Sequence, residues 1–194
     1  QIAYISMSQH LGAPAEPIVA AGDKVKVGQL IANANGFISA PVHSSVSGTV
    51  KGIEMIKDLA GNMTKAVVIN VEGDEWVDTI DRTPDIKREI ELDAKAIIDR
   101  IKECGVVGLG GATFPTCVKL SPPPGKRAEF LIINGAECEP YLTSDYRVLV
   151  EMPEQVLIGA AIMMKALGVS KGFIGIEENK PEAIRIMQEH AVKY

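Results

Sequence analysis

The chain has 194 residues, 46% hydrophobic, 23% charged and 5% aromatic, and 20 basic against 25 acidic side chains leave a net charge of −5. That length suits one large domain or two small ones, and the acidic balance excludes a non-specific nucleic-acid binder, which needs a basic footprint. No apolar stretch approaches the ~18–20 residues that span a bilayer and no signal-peptide pattern opens the chain, so any membrane role is expected to be peripheral.

Up to about Val71 the sequence reads as β structure. Val25, Val27 and Leu30–Ile31 are alternating apolar positions punctuated by Gly22 and Gly28, and further β-branched runs cover Val46–Val50 and Ala66–Val71. The acidic stretch from Glu72 to Asp93 holds Pro84, keeps no period and reads as a connection. From Asp93 the period becomes helical. Asp93 is placed to cap a helix over Ala94–Glu103, with Ile97, Ile101 and Cys104 on one stripe and Gly105 as the stop. Glu129–Asn134 is a continuous apolar run of the kind expected of a strand buried on both faces. Pro153 opens a helix that Gly168 ends, Lys171–Ile176 is the next strand, and Asn179 is the expected cap of a last helix with Pro181 in its first turn. Strand, helix, strand, helix implies parallel pairing. The expected organisation is therefore a β-rich domain over residues 1–72, a linker over 73–92, and a Rossmann-like α/β domain over 93–194. Gln1 in first place and a helical stretch running close to Tyr194 are read as marks of a fragment.

The segments Val19–Leu30 and Ile38–Val50 resemble the two half-motifs of biotinyl and lipoyl domains, a barrel-sandwich shape. In those domains the hairpin between the halves displays a modified lysine. Here it is Ala32-Asn-Ala-Asn-Gly-Phe37, without lysine, so the shape is kept and a scaffold or docking role replaces the swinging arm. His10 and His43 read as polar or packing histidines. Cys104, Cys117 and Cys138 stand too far apart for a disulfide framework or a metal cluster, whose ligands come closely spaced, and suit a reducing compartment. Cys104 fits a core position on its helix. No catalytic side chain and no metal ligand set is expected.

Two stretches carry chemistry. In the first, Gly108, Gly110 and Gly111 leave main-chain amides uncovered for a phosphate, Pro115 can begin a helical turn, and Lys119 adds a mobile charge. Taken alone, this loop is equally compatible with a plain tight turn; it is neither the dinucleotide nor the triphosphate pattern. The second is Asn134-Gly-Ala-Glu-Cys-Glu-Pro140, directly after a strand. Ligands of parallel sheets bind beyond the carboxyl ends of strands, which puts Asn134, Glu137 and Glu139 where polar recognition belongs. By itself it also reads as a solvated acidic loop.

Together, Gly108–Lys119, Ile133–Tyr141 and Asp145-Tyr-Arg147 resemble the flavin- and NADH-binding module of the complex I flavoprotein. They resemble still more closely the RnfC proteins of Rnf complexes, ferredoxin:NAD oxidoreductases, whose carrier-like first half also holds His10-Leu-Gly-Ala-Pro-Ala15. A cobalamin-reductase family shares the architecture and is the near alternative, as is a redox-inactive docking module. The resemblance implies FMN over the glycine loop, with Gly108, Gly110, Gly111, Lys119, Asn134 and Glu137 on flavin-contacting positions. It implies NAD(H) beside Phe114 and Glu139, with Glu177 lining the same pocket. Hydride transfer is then chemistry of the cofactors. It also implies two [4Fe–4S] clusters in the parent protein outside this chain, other Rnf subunits and ferredoxin-linked carriers as partners, and a peripheral place on the cytoplasmic face of the membrane. Against the complex I pattern, Leu109 replaces an arginine, Thr113 and Cys117 replace glycines, and Ala136 replaces an aspartate.

Overall fold

The computed structural model describes residues 1–58 and 61–193. They form two compact units, one of residues 1–84 with 99–119 and one of residues 85–98 with 120–194.

In the first unit the strands are β1 (Ile2–Ser6), β2 (Glu16–Pro17), β3 (Lys24–Val25), β4 (Leu30–Asn33), β5 (Val42–His43), β6 (Gly48–Lys57) and β7 (Met63–Val71). They make two antiparallel sheets, ordered β1-β7-β6-β3 and β2-β4-β5. Val25, Ile31, Val50, Val67 and Ile69, from both sheets, bury one common core with Met7, the residue after β1. The β-rich reading of the first half therefore holds. Its long strands carry β-branched residues that suit a pleated, buried surface. A register shift between Val50 and Gly52 bends β6, as an extra residue in one strand does. Gly48 is required where β6 meets β7, because a Cβ there would lie 2.0 Å from the Asn70 carbonyl oxygen. The connection that follows is laid against this unit at first: Val27 donates to the Glu75 carbonyl (2.8 Å) and Val77 donates to that of Val27 (3.1 Å).

The remaining elements are α1 (Ala94–Glu103), α2 (Thr116–Lys119), β8 (Leu131–Asn134), α3 (Ser144–Glu151), α4 (Pro153–Leu167), β9 (Gly172–Gly175) and α5 (Pro181–Ala191). The division between the units falls within α1. Asp93 caps α1 as expected, its Oδ1 accepting from the Ala96 amide at 2.8 Å. In the second unit β8 and β9 pair in parallel, Leu131 opposite Gly172 and Asn134 opposite Gly175. Leu149, Leu157, Ala183 and Met187, from α3, α4 and α5, bury a core against which Ile174 and Ile176 pack. α3 and α4 are separate helices because Pro153 disfavours helical geometry at Met152, which sits at φ −130° and ψ 42°. Gly168 closes α4 in the left-handed conformation.

Three expectations are corrected. The apolar run before Asn134 is not buried on both faces: Leu131 is buried, but Ile132 is 62% exposed and Phe173, opposite it on β9, is 55% exposed. α4 covers only one side of this strand pair. Cys104 lies beyond the end of α1 and is exposed. The N-cap of α5 is Lys180, without a side-chain cap bond, and not Asn179.

Candidate functional site

The glycine loop belongs to the first unit. Its neck is closed by main-chain bonds: Gly108 donates to the Phe114 carbonyl (2.9 Å), Thr116 donates to that of Val106 (3.0 Å), and Val107 bridges Pro115. Pro115 is buried and starts the four-residue α2, whose last residue is Lys119. Within the loop, Gly111 (φ 112°) and Thr113 (φ 48°) are left-handed. Positive φ within a turn is the kind of backbone that anion-binding nests use. A Cβ added at Gly110 or Gly111 would meet nothing within 4 Å, so the main chain there is open to a ligand. The amides of residues 109–113 have no main-chain acceptor among the described residues. At Gly108 the space of a Cβ is taken by Lys119, whose Nζ would lie 2.5 Å from it. The missing side chain thus admits an ammonium group to the neck. Phe114 is half-buried beside it, while Leu109 is exposed at the tip. Open amides with a cation at the neck fit a phosphate monoester.

The second group lies in the second unit, at the carboxyl ends of β8 and β9. Gly135 extends the ladder by donating to the Gly175 carbonyl (2.8 Å), an approach a side chain would crowd. Asn134 Oδ1 accepts from the Ala136 amide (3.1 Å), an Asx turn that fixes the side chain at the end of β8. Glu137 is buried. It accepts from the Ser144 hydroxyl (3.0 Å) and from the Asp145 (3.0 Å) and Tyr146 (3.3 Å) amides, capping α3. Burial pushes this carboxyl up. The two amides, the hydroxyl and the charge of Lys180 outweigh that and hold it below the ordinary carboxylate range. Glu139 is exposed, and its carbonyl accepts from the Leu142 amide. Glu177 is half-buried just after β9, and its carbonyl accepts from Lys180.

Around Glu137 stands a set of side chains that the sequence did not single out. The Tyr146 hydroxyl donates to Glu182, and Lys180 lies 5.3 Å from the centre of the Tyr146 ring. The bond to Glu182, burial and the Glu182 charge push the tyrosine hydroxyl up. The only sequence signal for this set was Asp145-Tyr-Arg147. Glu137 caps a helix that begins seven residues further on, well outside the three-residue spacing of a capping box. The structure thus groups Gly108, Gly110, Gly111, Phe114 and Lys119 in one unit and Asn134, Glu137, Glu139 and Glu177 in the other. Among the described residues no set of three or more His, Cys, Asp or Glu is placed to hold a metal ion.

Two family models match the chain, and the second of them spans both groups of candidate residues. Residues 1–74 match the RnfC barrel sandwich hybrid domain, and residues 101–194 match the Nuo51 FMN-binding domain. The chain is 48% identical over 187 residues to the RnfC-type component of the proton-translocating ferredoxin:NAD(+) oxidoreductase complex of Clostridium ljungdahlii, covering 96% of this chain and 40% of that protein. It is 47% identical over 190 residues to the Na(+)-translocating counterpart of Acetobacterium woodii, covering 96% of this chain and 42% of the relative. The corresponding component of the ion-translocating oxidoreductase complex of Pseudomonas aeruginosa is 40% identical over 182 residues, 93% of this chain and 23% of that protein. A barrel-sandwich module followed by an FMN-binding-domain module defines a class, the RnfC-type components of ion-translocating oxidoreductase complexes. The chain belongs to the RnfC family, and it spans about two fifths of the length of the first two relatives.

Proposed function

We propose that this chain is the FMN- and NAD(H)-binding portion of the RnfC component of a ferredoxin:NAD oxidoreductase, exchanging electrons with iron–sulfur clusters outside it. The observation that carries the reading is the 108–113 loop, with its open amides and the Lys119 ammonium at the neck. The chemistry FMN supplies when bound is hydride exchange with a nicotinamide and single-electron exchange with iron–sulfur clusters. The chain's own residues bind and orient. The amides at Gly110 and Gly111 would donate to the phosphate, and Lys119, whose ammonium already lies beside Gly108, would offset its charge. Asn134 offers its side-chain amide to the flavin, its oxygen being engaged by Ala136. Glu137 uses three of roughly four acceptor directions inside the protein, which leaves about one for a ligand. Phe114 supplies an apolar face to the dinucleotide, and Glu139 with Glu177 accepts from its hydroxyls. No residue need act as an acid or base in this scheme.

We further propose that the second domain is Rossmann-like, and that residues 1–72, 73–92 and 93–194 are the modules of the chain, with the matched ranges 1–74 and 101–194 as support. The parent would carry two [4Fe–4S] clusters and sit peripherally on the cytoplasmic side, with other Rnf subunits and ferredoxin-linked carriers as partners. No helix among the described residues is long and apolar enough to cross a membrane.

The test is a titration of the full chain with FMN followed by flavin fluorescence, repeated on Gly110→Asp. That substitution places a carboxylate in the cradle at a glycine outside the left-handed region. Loss of a charge-assisted contact plus repulsion weakens FMN binding by about a hundredfold. Equal affinity of both proteins, or no binding by the unaltered chain, rejects the reading.

A further inference from the structure

The His10-Leu-Gly-Ala-Pro-Ala15 segment is the one sequence motif left without a task, and it touches the glycine loop inside the first unit. The Leu11 amide donates to the Thr113 carbonyl at 3.2 Å, and Thr113 is the non-glycine residue of the loop held at φ 48°. A side-chain-bearing residue stays in that region only when its surroundings over-determine it. The turn that carries Leu11 is itself tied down at several points. His10 Nε2 donates to the Ala40 carbonyl at 2.9 Å and lies 3.3 Å from Ser39 Oγ. Ser39 Oγ donates to the Ala13 carbonyl (2.8 Å) and accepts from the Asn35 amide (2.9 Å), and the Ala13 amide donates to the Ile38 carbonyl (3.0 Å). Gly12 is left-handed and so close to Ile38 that a Cβ would meet its carbonyl oxygen at 2.1 Å. The loop's other end is seated on the same segment: Gly105 passes Pro41 with room for no side chain, a Cβ falling 2.5 Å from the Pro41 oxygen.

His10 is buried, and its Nδ1 is buried with no protein partner among the described residues. An aliphatic side chain would fill this place without that cost, so what the imidazole contributes is the Nε2–H bond. We propose that His10 is a positioning residue for the cofactor loop: by locking the 10–13 turn onto Ser39–Ala40 it aims the Leu11 amide at Thr113 and holds the loop with its amides open. This rests on the FMN reading above and gives the lysine-free carrier shape a task. The segment that follows its hairpin is the seat of the glycine loop, a task separate from the swinging arm that a carrier domain presents on the hairpin itself.

The experiment compares His10→Gln with His10→Asn in the full chain. Gln extends its amide to the Nε2 position, where it can donate to Ala40; Asn places its amide at the Nδ1 position and cannot. Hydrogen exchange without ligand should show faster exchange at Leu11 and across residues 108–114 in His10→Asn, with β6 and β7 still protected and His10→Gln unchanged. FMN affinity should fall about tenfold in His10→Asn and stay within about twofold in His10→Gln. Ser39→Ala, which cuts the tie to Ala13, should loosen the same peptides. Unchanged loop exchange in both His10→Asn and Ser39→Ala overturns the proposal, as does a loss in His10→Gln equal to that in His10→Asn. If the unaltered chain binds no FMN, the functional reading falls, while the exchange comparison still decides the interlock.

Discussion

The two halves of the chain solve burial differently. In the first, antiparallel sheets joined by short connections close on each other, and Met7, Ile31, Val67 and Ile69 are fully inaccessible. In the second, a parallel strand pair is covered on one side by α4, while Ile132 and Phe173 remain more than half exposed on the other. Antiparallel neighbours can bury their own inner faces; parallel strands need crossover helices and are stable chiefly when both faces are covered. A contrast also separates the two groups of candidate residues. The glycine loop is seated on a closed β core, whereas the Asn134–Glu139 turn is held by the Asn134 side chain, the Gly135–Gly175 bond and the buried Glu137 carboxylate that caps α3.

The largest expected effect follows from the closed core. Ile69→Ala should cost about 2–5 kcal/mol in urea unfolding of the first unit, through lost burial and a cavity that the surrounding strands cannot collapse. Next is the cation at the loop neck. Lys119→Met keeps the apolar stem and removes the charge, so FMN affinity should drop about tenfold and its salt dependence should flatten. Affinity and salt dependence both unchanged would separate Lys119 from the phosphate. A smaller effect concerns the second unit. The Glu137 carboxyl lies below the ordinary carboxylate value in the fold, so its capping bonds add stability above about pH 4.3. That stability is lost as pH falls through the lowered folded value. Glu137→Gln should therefore be less stable than the unaltered chain near neutrality, and the gap should close on acidification. A gap constant from about pH 7 down to about pH 3 would show that the charge is not what caps α3. Smallest of all, Ile132→Ala should change stability by no more than about 0.5 kcal/mol, since the side chain is already in solvent. A loss matching that of Ile69→Ala would erase the distinction between the halves.

Much of the framework was legible. Asp93 before an apolar stripe, Pro153 and Gly168 at either end of α4, and the change of period after Val71 are local signals, and each marks the element it should. α3 was not foreseen, because its cap comes from Glu137 across a turn. The exposure of Ile132 was not foreseen either. A continuous apolar run records that a strand is compatible with burial on both faces, and what covers each face depends on packing remote in sequence.

Sequence alone determined the residue types at the site: glycines where amides must be bare, a lysine in reach of them, and an amide and carboxylates directly after a strand. It could do so because backbone freedom and charge are properties of single residues and their spacing. The tertiary structure decided how those groups are committed. It put the Lys119 ammonium where Gly108 lacks a Cβ, spent most of the Glu137 carboxylate on α3, and brought Leu11 to Thr113 across about a hundred residues of chain. Such commitments depend on distances between segments far apart in sequence, and those distances are set only when the cores close.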